Sequence, residues 1–343
     1  MNQPLVTVAI LNWNGRNWLE KFLPSVLAST YPNLDILLID NASTDDSVAW
    51  TRKTHPSVRV EVLDDNYGFA GGYNRSMAFV EASYVVLLNS DVEVPPAWLE
   101  PLVKLAESDD RIASIQPKIL AHHAQDTFEY AGAAGGYMDV LGYPFCRGRI
   151  FDTVEQDIGQ HQSVEDIFWA TGACCLLRMS VVREIGLFEA RFFAHMEEID
   201  FCWRAKNLGY RIMVEPASHV FHVGGGALPQ GNPRKTYLNA RNSLFCLLRN
   251  LPAGQVFPKI FTRMLLDGVW GLKSLFSLDF GSFGAILKAH AHFYGGLAYH
   301  RRMRKQIYKQ QTPRKGLSGF WHKSVVWHYF VRGKKTFNDL MKA

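Results

Sequence analysis

Short apolar runs alternate with stretches of helical period through the first third of the chain. Residues 6–11 form a β-rich run, followed by Asn14-Gly15 and a helix-periodic stretch over about 16–28. A second run, DILLID at 35–40, ends in Asn-Ala-Ser-Thr-Asp-Asp, which can cap a helix over 47–54. Residues 58–63 and 84–88 read as a third and a fourth strand with a helix over 70–81 between them, and Pro95-Pro96 opens a helix towards residue 108. Nearly continuous apolar strands alternating with helices predict an α/β fold, with a mostly parallel sheet covered on both faces. Ligands of such sheets bind beyond the carboxyl ends of the strands. The strand ends here carry Asn12, Asp40, Asn66 and Asp91.

Residues 116–162 are rich in Gly and Tyr with weak periodicity, which predicts loops and short strands. The run 167–178 (IFWATGACCLLR) reads as a buried strand, 197–208 as a helix ended by Gly209, and 211–214 as a strand. Beyond about residue 250 the character changes. The segment 256–298 holds two acids, Asp267 and Asp279, among Phe, Leu and Trp at helical spacing. That pattern predicts amphipathic helices that pack on the body or lie in a membrane interface.

Composition narrows the class. With 48% hydrophobic and 20% charged residues in 343, the chain is an ordinary globular protein. Five cysteines without CxxC spacing argue against a disulfide framework or a zinc cluster and fit a reducing cytoplasm. The start, MNQPLVTVAILNWNG, has no basic segment followed by an apolar one, so no signal peptide is expected. The net charge of +5 is uneven: residues 300–343 carry 12 Lys/Arg and one acid, and the remainder is net −6. Tyr308, Phe320, Trp321, Trp327, Tyr329 and Phe330 interleave that basic tail. Such a mixture suits an anionic membrane surface, and a solvated basic terminus explains it equally well. Nucleic acid is not expected, since no recognition fold accompanies the charge.

Three constellations carry chemistry. Leu87-Leu88-Asn89-Ser90-Asp91 runs an apolar strand into an acid. A carboxylate there can hold Mg²⁺ or Mn²⁺ against a diphosphate, because hard cations take oxygen ligands; it can also simply cap the next helix. After the third strand, Asn66-Tyr67-Gly68-Phe69-Ala70-Gly71-Gly72 leads to Arg75. Glycines let backbone approach phosphate, a helix N-terminus favours anions, and Arg75 adds a cation. The spacing is neither GxGxxG nor a P-loop, so a dinucleotide or ATP reading has no motif. The third is His195-Met196-Glu197-Glu198-Ile199-Asp200-Phe201-Cys202-Trp203-Arg204. Its acids suit a helix start, but the bulky apolar neighbours predict a buried helix, where acids need a further reason. Glu198 is the first candidate for a general base and Glu197 the second. His222, after a short apolar strand and before glycines 224–226, is a candidate ligand-side residue.

The ordered motifs LNWNG, LLIDNASTD, NYGFAGGYN, LLNSDVEV, TGACCLLR, EEIDFCWR, HVFHVGG and YLNARN resemble a family 2 glycosyltransferase of the bacterial rhamnosyltransferase-like branch. The resemblance implies a GT-A catalytic domain over 1–250, with a nucleotide-sugar half at about 1–115, an acceptor half at about 116–250 and a helical, basic extension over 251–343. It implies that Asp40 contacts the nucleotide base and that Asn12, Asn14, Asn66, Gly68, Arg75, Asn89, Ser90 and Asp91 line the nucleotide-sugar pocket. Asp91 and His222 would hold the metal, Glu197-Glu198 would contain the base, and Trp169, Thr171, Gly172 and Asp200 would meet the acceptor. Asn89 stands where the family's DxD motif begins, and Glu-Glu replaces the usual Glu-Asp.

The expected reaction is inverting transfer of rhamnose or another hexose from a dTDP- or UDP-sugar to a hydroxyl of a cell-surface polysaccharide or lipid-linked glycan. The expected location is cytoplasmic, peripheral at the inner face of the membrane. Two competing readings are a sugar-nucleotide nucleotidylyltransferase and a non-catalytic, membrane-attached nucleotide-sugar-binding protein. The first needs a basic Gly-rich signature near the N-terminus, where Asn12 to Asn17 offers one Arg. The second would never turn its ligand over.

Overall fold

The computed structural model describes residues 3–224, 231–310 and 312–343. The elements run β1 (Val6–Asn12), α1 (Arg16–Leu27), β2 (Leu34–Asp40), α2 (Ser47–Thr54), β3 (Arg59–Val62), α3 (Gly68–Ser76), β4 (Tyr84–Asn89), β5 (Val92–Glu93) and α4 (Leu99–Ser108). There follow β6 (Ile112–Ala121), β7 (Ala124–Phe128), β8 (Gly136–Asp139), β9 (Pro144–Cys146), β10 (Arg149–Ile150), β11 (Thr153–Val154) and β12 (Glu165–Asp166). The rest are β13 (Cys174–Arg178), α5 (Met179–Ile185), α6 (Glu197–Leu208), β14 (Arg211–His222), α7 (Pro233–Asn250), α8 (Ala253–Phe276), α9 (Phe280–Gln310), β15 (Phe320–Trp321) and α10 (Phe337–Met341).

The main sheet has the order β12-β14-β6-β13-β4-β1-β2-β3. Strands β3, β2, β1 and β4 are parallel, and β13 runs antiparallel between β4 and β6. Alternate side chains feed two cores, as the pleat requires. Val6, Val8, Ile10, Ile36 and Leu38 meet Leu19 and Leu23 of α1 and Leu99 and Leu102 of α4. Ala9, Leu37, Ile39, Val85 and Leu87 face α3, α6 and α7. The sheet covered on both faces is thus present, and α2 spans the predicted residues.

Three elements depart from the sequence expectation. The 167–178 run is strand only from Cys174, because its first residues are shared between sheets: Ile167 N donates to Ile212 O and Phe168 N to Gly136 O. The strand expected over 211–214 continues to His222, past an irregularity at Glu215–His219 that accommodates Pro216. The helix expected over 70–81 spans Gly68–Ser76 and gives way to a short 3₁₀ turn.

The basic tail is not a free arm. β15 pairs in parallel with β8 and completes a second sheet, β11-β10-β9-β8-β15. Val325, Tyr329, Phe337 and Leu340 pack on Phe145 and Ile150. Among the described residues no helix is long and apolar enough to cross a membrane.

Candidate active site

The predicted segments gather beyond the carboxyl ends of β1, β2, β3 and β4. Asn12 Nδ2 donates to Asp40 Oδ1 at 2.8 Å and to Ser47 Oγ at 3.0 Å, and Asp40 Oδ2 accepts from Ser43 N at 2.8 Å. Both side chains are buried. They turn inward and shape loop 41–46, so the expected direct contact of Asp40 with a base has no open carboxylate behind it. Asn14, at φ 50°, accepts from Thr44 N at 2.7 Å and ties the two loops together. Beside it Trp13 stands 55% exposed, an apolar ring on the ligand side that the sequence reading passed over.

Asn41 joins the next loop to these. Its Nδ2 donates to Asn66 Oδ1 at 3.0 Å and to Gly68 O at 3.1 Å, and its Oδ1 accepts from Tyr67 N at 3.0 Å. Gly68 has φ +67°, a conformation glycine adopts freely, and a Cβ there would meet Phe193 Cδ2 at 2.5 Å. Ala70 N donates to Phe193 O at 3.0 Å. The N-terminus of α3 therefore abuts the loop that leads to Glu197 and Glu198. Arg75 is exposed, its guanidinium 3.2 Å above the Tyr67 ring.

Asp91 lies just past β4, held by the antiparallel pairing of β5 with the end of β14. His222 Nε2 is 3.2 Å from Asp91 Oδ1 and 3.4 Å from Asn89 Nδ2. Ser90 closes the first loop from the other side: a Cβ on Gly15 would sit 3.6 Å from its Oγ. Glu129, which sequence reasoning missed, sits with Oε2 3.3 Å from His222 Nδ1, off the hydrogen-bond line but close enough for charge attraction. Burial alone would push the imidazole down; Asp91 and Glu129 overcome this and hold it up at about 10. Gly225 and Gly226 lie outside the described residues.

Helix α6 presents the second acid cluster. Glu197 is buried and Glu198 half-buried, and among the described residues neither Oε2 has a hydrogen-bond partner. Burial holds both carboxyls well above the usual range, and for Glu197 the adjacent Glu198 adds to it. Cys202, one turn on, accepts from Ala170 N at 3.5 Å, and Ala173 O accepts from Asn89 N at 2.9 Å. The start of α6 and the end of β4 are thus linked across the four residues Ala170 to Ala173 of the loop before β13. In that loop Gly172 faces Phe69, and Thr171 N donates to Gln116 Oε1 at 3.0 Å.

Two expected acceptor contacts are corrected. Asp200 has no exposed surface; it accepts from Arg204 Nε at 3.0 Å, Arg249 Nε at 2.9 Å and Asn250 Nδ2 at 2.8 Å. Burial alone would raise its carboxyl, but Arg249 and Arg204 bring it down to about 2. Trp169 is buried against Gly136 with its Nε1 donating to Tyr137 O at 2.9 Å. Both side chains are sealed within the packing.

The loop before α6 is strained. Phe193, His195 and Met196 have φ of 67°, 71° and 73°, values unusual for residues with side chains. Asn242 of α7, wholly buried, spans it: Nδ2 approaches Phe192 O at 3.0 Å, Ala194 O at 3.0 Å and His195 O at 2.8 Å. Arg241 Nη2 adds bonds to Arg191 O and Phe192 O. The YLNARN motif contains both residues, although its spacing alone assigned them no task.

Comparison with known proteins gives this geometry its family. A model of glycosyl transferase family 2 matches residues 7–186, a little over half the chain. The N-acetylglucosaminyl-diphospho-decaprenol L-rhamnosyltransferase of Mycobacterium tuberculosis is 28% identical over 240 residues, 65% of this chain and 76% of that protein. The low-salt glycan biosynthesis hexosyltransferase Agl10 of Haloferax volcanii is 24% identical over 241 residues, 67% of this chain and 70% of that one. Among solved structures, GalNAc-T7 with UDP, GalNAc and Mn²⁺ superposes at TM-score 0.62 and 15% identity, over 97% of this chain and 57% of that one. Residues 1–349 of S. aureus TarS superpose at 0.54 and 13% identity, over 91% of this chain and 98% of that one. The fold is that of the GT-A glycosyltransferases, and the chain belongs to glycosyl transferase family 2, an enzyme that transfers a glycosyl group.

Proposed function

We propose that the chain transfers a hexose, rhamnose first among the candidates, with inversion from a dTDP- or UDP-sugar to a hydroxyl of a lipid-linked glycan. What supports this is that the Asp91–His222 pair at the end of β4 is tied, through Asn89 N to Ala173 O and Ala170 N to Cys202 Sγ, to the helix whose first turn carries Glu197 Oε2 and Glu198 Oε2, oxygens without a hydrogen-bond partner among the described residues. The named rhamnosyl and hexosyl relatives support the donor class, and the decaprenol in one relative's name supports a lipid-linked acceptor.

Asp91 offers one oxygen to a divalent cation and His222 one nitrogen once the cation displaces its proton, and among the described residues no group of three or more such donors forms. That donor set suits Mg²⁺ or Mn²⁺ completing its shell with phosphate and water oxygens, and two structural neighbours were solved with Mn²⁺. When bound, such an ion supplies Lewis-acid stabilisation of charge on the leaving diphosphate. The Gly68 loop and the N-terminus of α3 bring backbone amides to the phosphates, and Arg75 adds positive charge. Glu198, more open than Glu197, accepts the acceptor's proton as its oxygen attacks the anomeric carbon from the face opposite the diphosphate. One bond forms and one breaks in a single displacement, so the anomeric configuration inverts.

Transfer from radiolabelled nucleotide sugars to a polyprenyl-diphosphate-linked acceptor, with anomeric analysis of the product, tests the reading. Glu198→Gln should keep the donor-induced thermal shift and lose transfer by about 10²–10⁴-fold. Asp91→Ala should lose both the Mn²⁺-dependent shift and transfer. Wild-type transfer in either variant would refute the assigned role.

A further inference from the structure

A lipid-linked acceptor requires the enzyme to meet a membrane, and the basic tail expected to do so is folded into the second sheet. A different surface is unpartnered. One side of α8 is buried through Ile260, Arg263, Asp267, Gly271 and Ser274. Arg263 Nη1 donates to Gly142 O at 3.1 Å, and its guanidinium lies over Tyr143, which fixes this side on the acceptor half. The opposite side carries Phe257, Phe261, Leu265, Val269, Leu272 and Phe276, each 52–84% exposed. Their three- and four-residue spacing makes one continuous apolar stripe along the helix.

The stripe continues over the tip of the α8–α9 turn. Leu278 is 74% exposed at φ 59°, and Phe280 is exposed beside it. A leucine held in the left-handed region with its side chain in water carries both a backbone cost and a solvation cost. α9 returns antiparallel, with His290 against Asp267 and Ile286 against Gly271. A contiguous apolar face of this extent marks an interaction surface.

Charge identifies the occupant. Residues 253–310 hold nine Lys/Arg and two acids. Of those acids Asp267 is buried against Arg263, and α9 contains none. Lys273 is exposed at the edge of the stripe, whereas Lys288 lies 5.3 Å over the Tyr237 ring and faces α7. A second copy of the chain would bring two basic surfaces together, whereas anionic headgroups match both the stripe and its border.

We propose that the outer face of α8, with the Leu278 tip, inserts into the interface of an anionic lipid bilayer and sets the acceptor half against the membrane. The apolar residues enter the acyl boundary, and Lys273 meets headgroup phosphates. This deepens the lipid-linked acceptor reading and rests on it for its purpose, although lipid binding is measured without turnover.

The full chain is sedimented with vesicles of phosphatidylcholine mixed with phosphatidylglycerol, and with vesicles of phosphatidylcholine alone. Wild type should bind the anionic vesicles. Phe261→Ser with Leu265→Ser should weaken partitioning by about tenfold or more, since each removes buried apolar area. Lys273→Gln should weaken it by about fivefold and reduce the preference for phosphatidylglycerol. Trp327→Ala with Phe330→Ala, the exposed tail rings, should bind like wild type. Unchanged binding in both α8 variants overturns the proposal, as does loss confined to the tail variant. A dimer in solution that the Phe261/Leu265 variant dissociates, without vesicle binding, also overturns it. A variant that loses lipid but keeps the nucleotide-sugar thermal shift leaves the transferase reading standing. A wild type that binds lipid but no nucleotide sugar strikes that reading instead.

Discussion

Asn242 offers a sharp test of how the acid cluster is held. Its Nδ2 has two hydrogens for three carbonyls at 2.8–3.0 Å, all in the loop just before Glu197 and Glu198. Truncation to alanine at this wholly buried position loses about two hydrogen bonds, worth about 0.5–1.5 kcal/mol each, and leaves at least one carbonyl unpaired at a further cost of about 1–3 kcal/mol. A destabilisation of about 2–6 kcal/mol follows. With an unfolding entropy of about 2.1 cal/mol/K per residue, this lowers the melting temperature by about 3–8 °C.

The catalytic effect should exceed the thermal one. Phe193, His195 and Met196 hold positive φ, each costing about 1–3 kcal/mol, and such strain persists only where neighbours over-determine it. Without Asn242 the loop relaxes and shifts the start of α6. Misplacement of a base by about 1 Å costs about 10²-fold. Asn242→Ala should therefore lower kcat by about 10–100-fold while the donor KM stays within about twofold, since the proposed function assigns the nucleotide to Asp91 and the Gly68 loop, not to α6. Asn242→Asp, equal in size but without the donor, should do as badly. Steady-state kinetics beside differential scanning fluorimetry decide it. A variant that melts lower yet keeps full kcat would refute the link between the clamp and the base.

Both Glu197 and Glu198 have carboxyls held up by burial, so the acid limb of kcat should lie above the ordinary glutamate range. The protonated base is inactive, hence the rate rises as pH climbs through the raised value, and a pH–rate profile with its midpoint near 4 would contradict this. Asp200→Asn should cost about 3–5 kcal/mol by leaving Arg204 without its carboxylate and Arg249 with Glu189 alone, read from chemical denaturation. The Asp200 carboxyl lies below its unfolded value, so its contribution is present above about 4 and fades as pH falls towards about 2. Gly68→Ala should lower both stability and kcat, since its Cβ would press on the Phe193 ring; unchanged kinetics would sever the link between the donor loop and the base loop. Trp13→Ala should raise the donor KM by about 5–100-fold if the exposed ring stacks on the nucleotide base, and an unchanged KM would place the base elsewhere.

What the sequence displayed and what it hid divide along a physical line. The parallel half was legible because β1, β2 and β4 are nearly continuous apolar runs and α1 has a clear stripe of Leu19, Phe22, Leu23 and Val26. Strand ends therefore pointed to the site, and Asp91 with His222 meet there. The polar residues at those ends were harder to read, because a side chain near a ligand can serve it directly or hold the loop that does. Asn12, Asp40, Asn14 and Asn66 spend hydrogen bonds on neighbouring loops, and Asp200 on two arginines. Spacing cannot separate these cases, since both need a polar residue at a strand or helix end. Glu129 and Asn242 were invisible for the complementary reason: they reach His222 and the 193–196 loop from distant segments, and only the closed sheet brings them there. The tail misled because its basic residues and rings look alike in a free arm and in a folded strap. Pairing of Phe320 and Trp321 with β8 half-buries two of the tail's rings and leaves Trp327 and Phe330 exposed, whereas the long continuous apolar stripe lies on α8, whose two faces the sequence offered without saying which was covered.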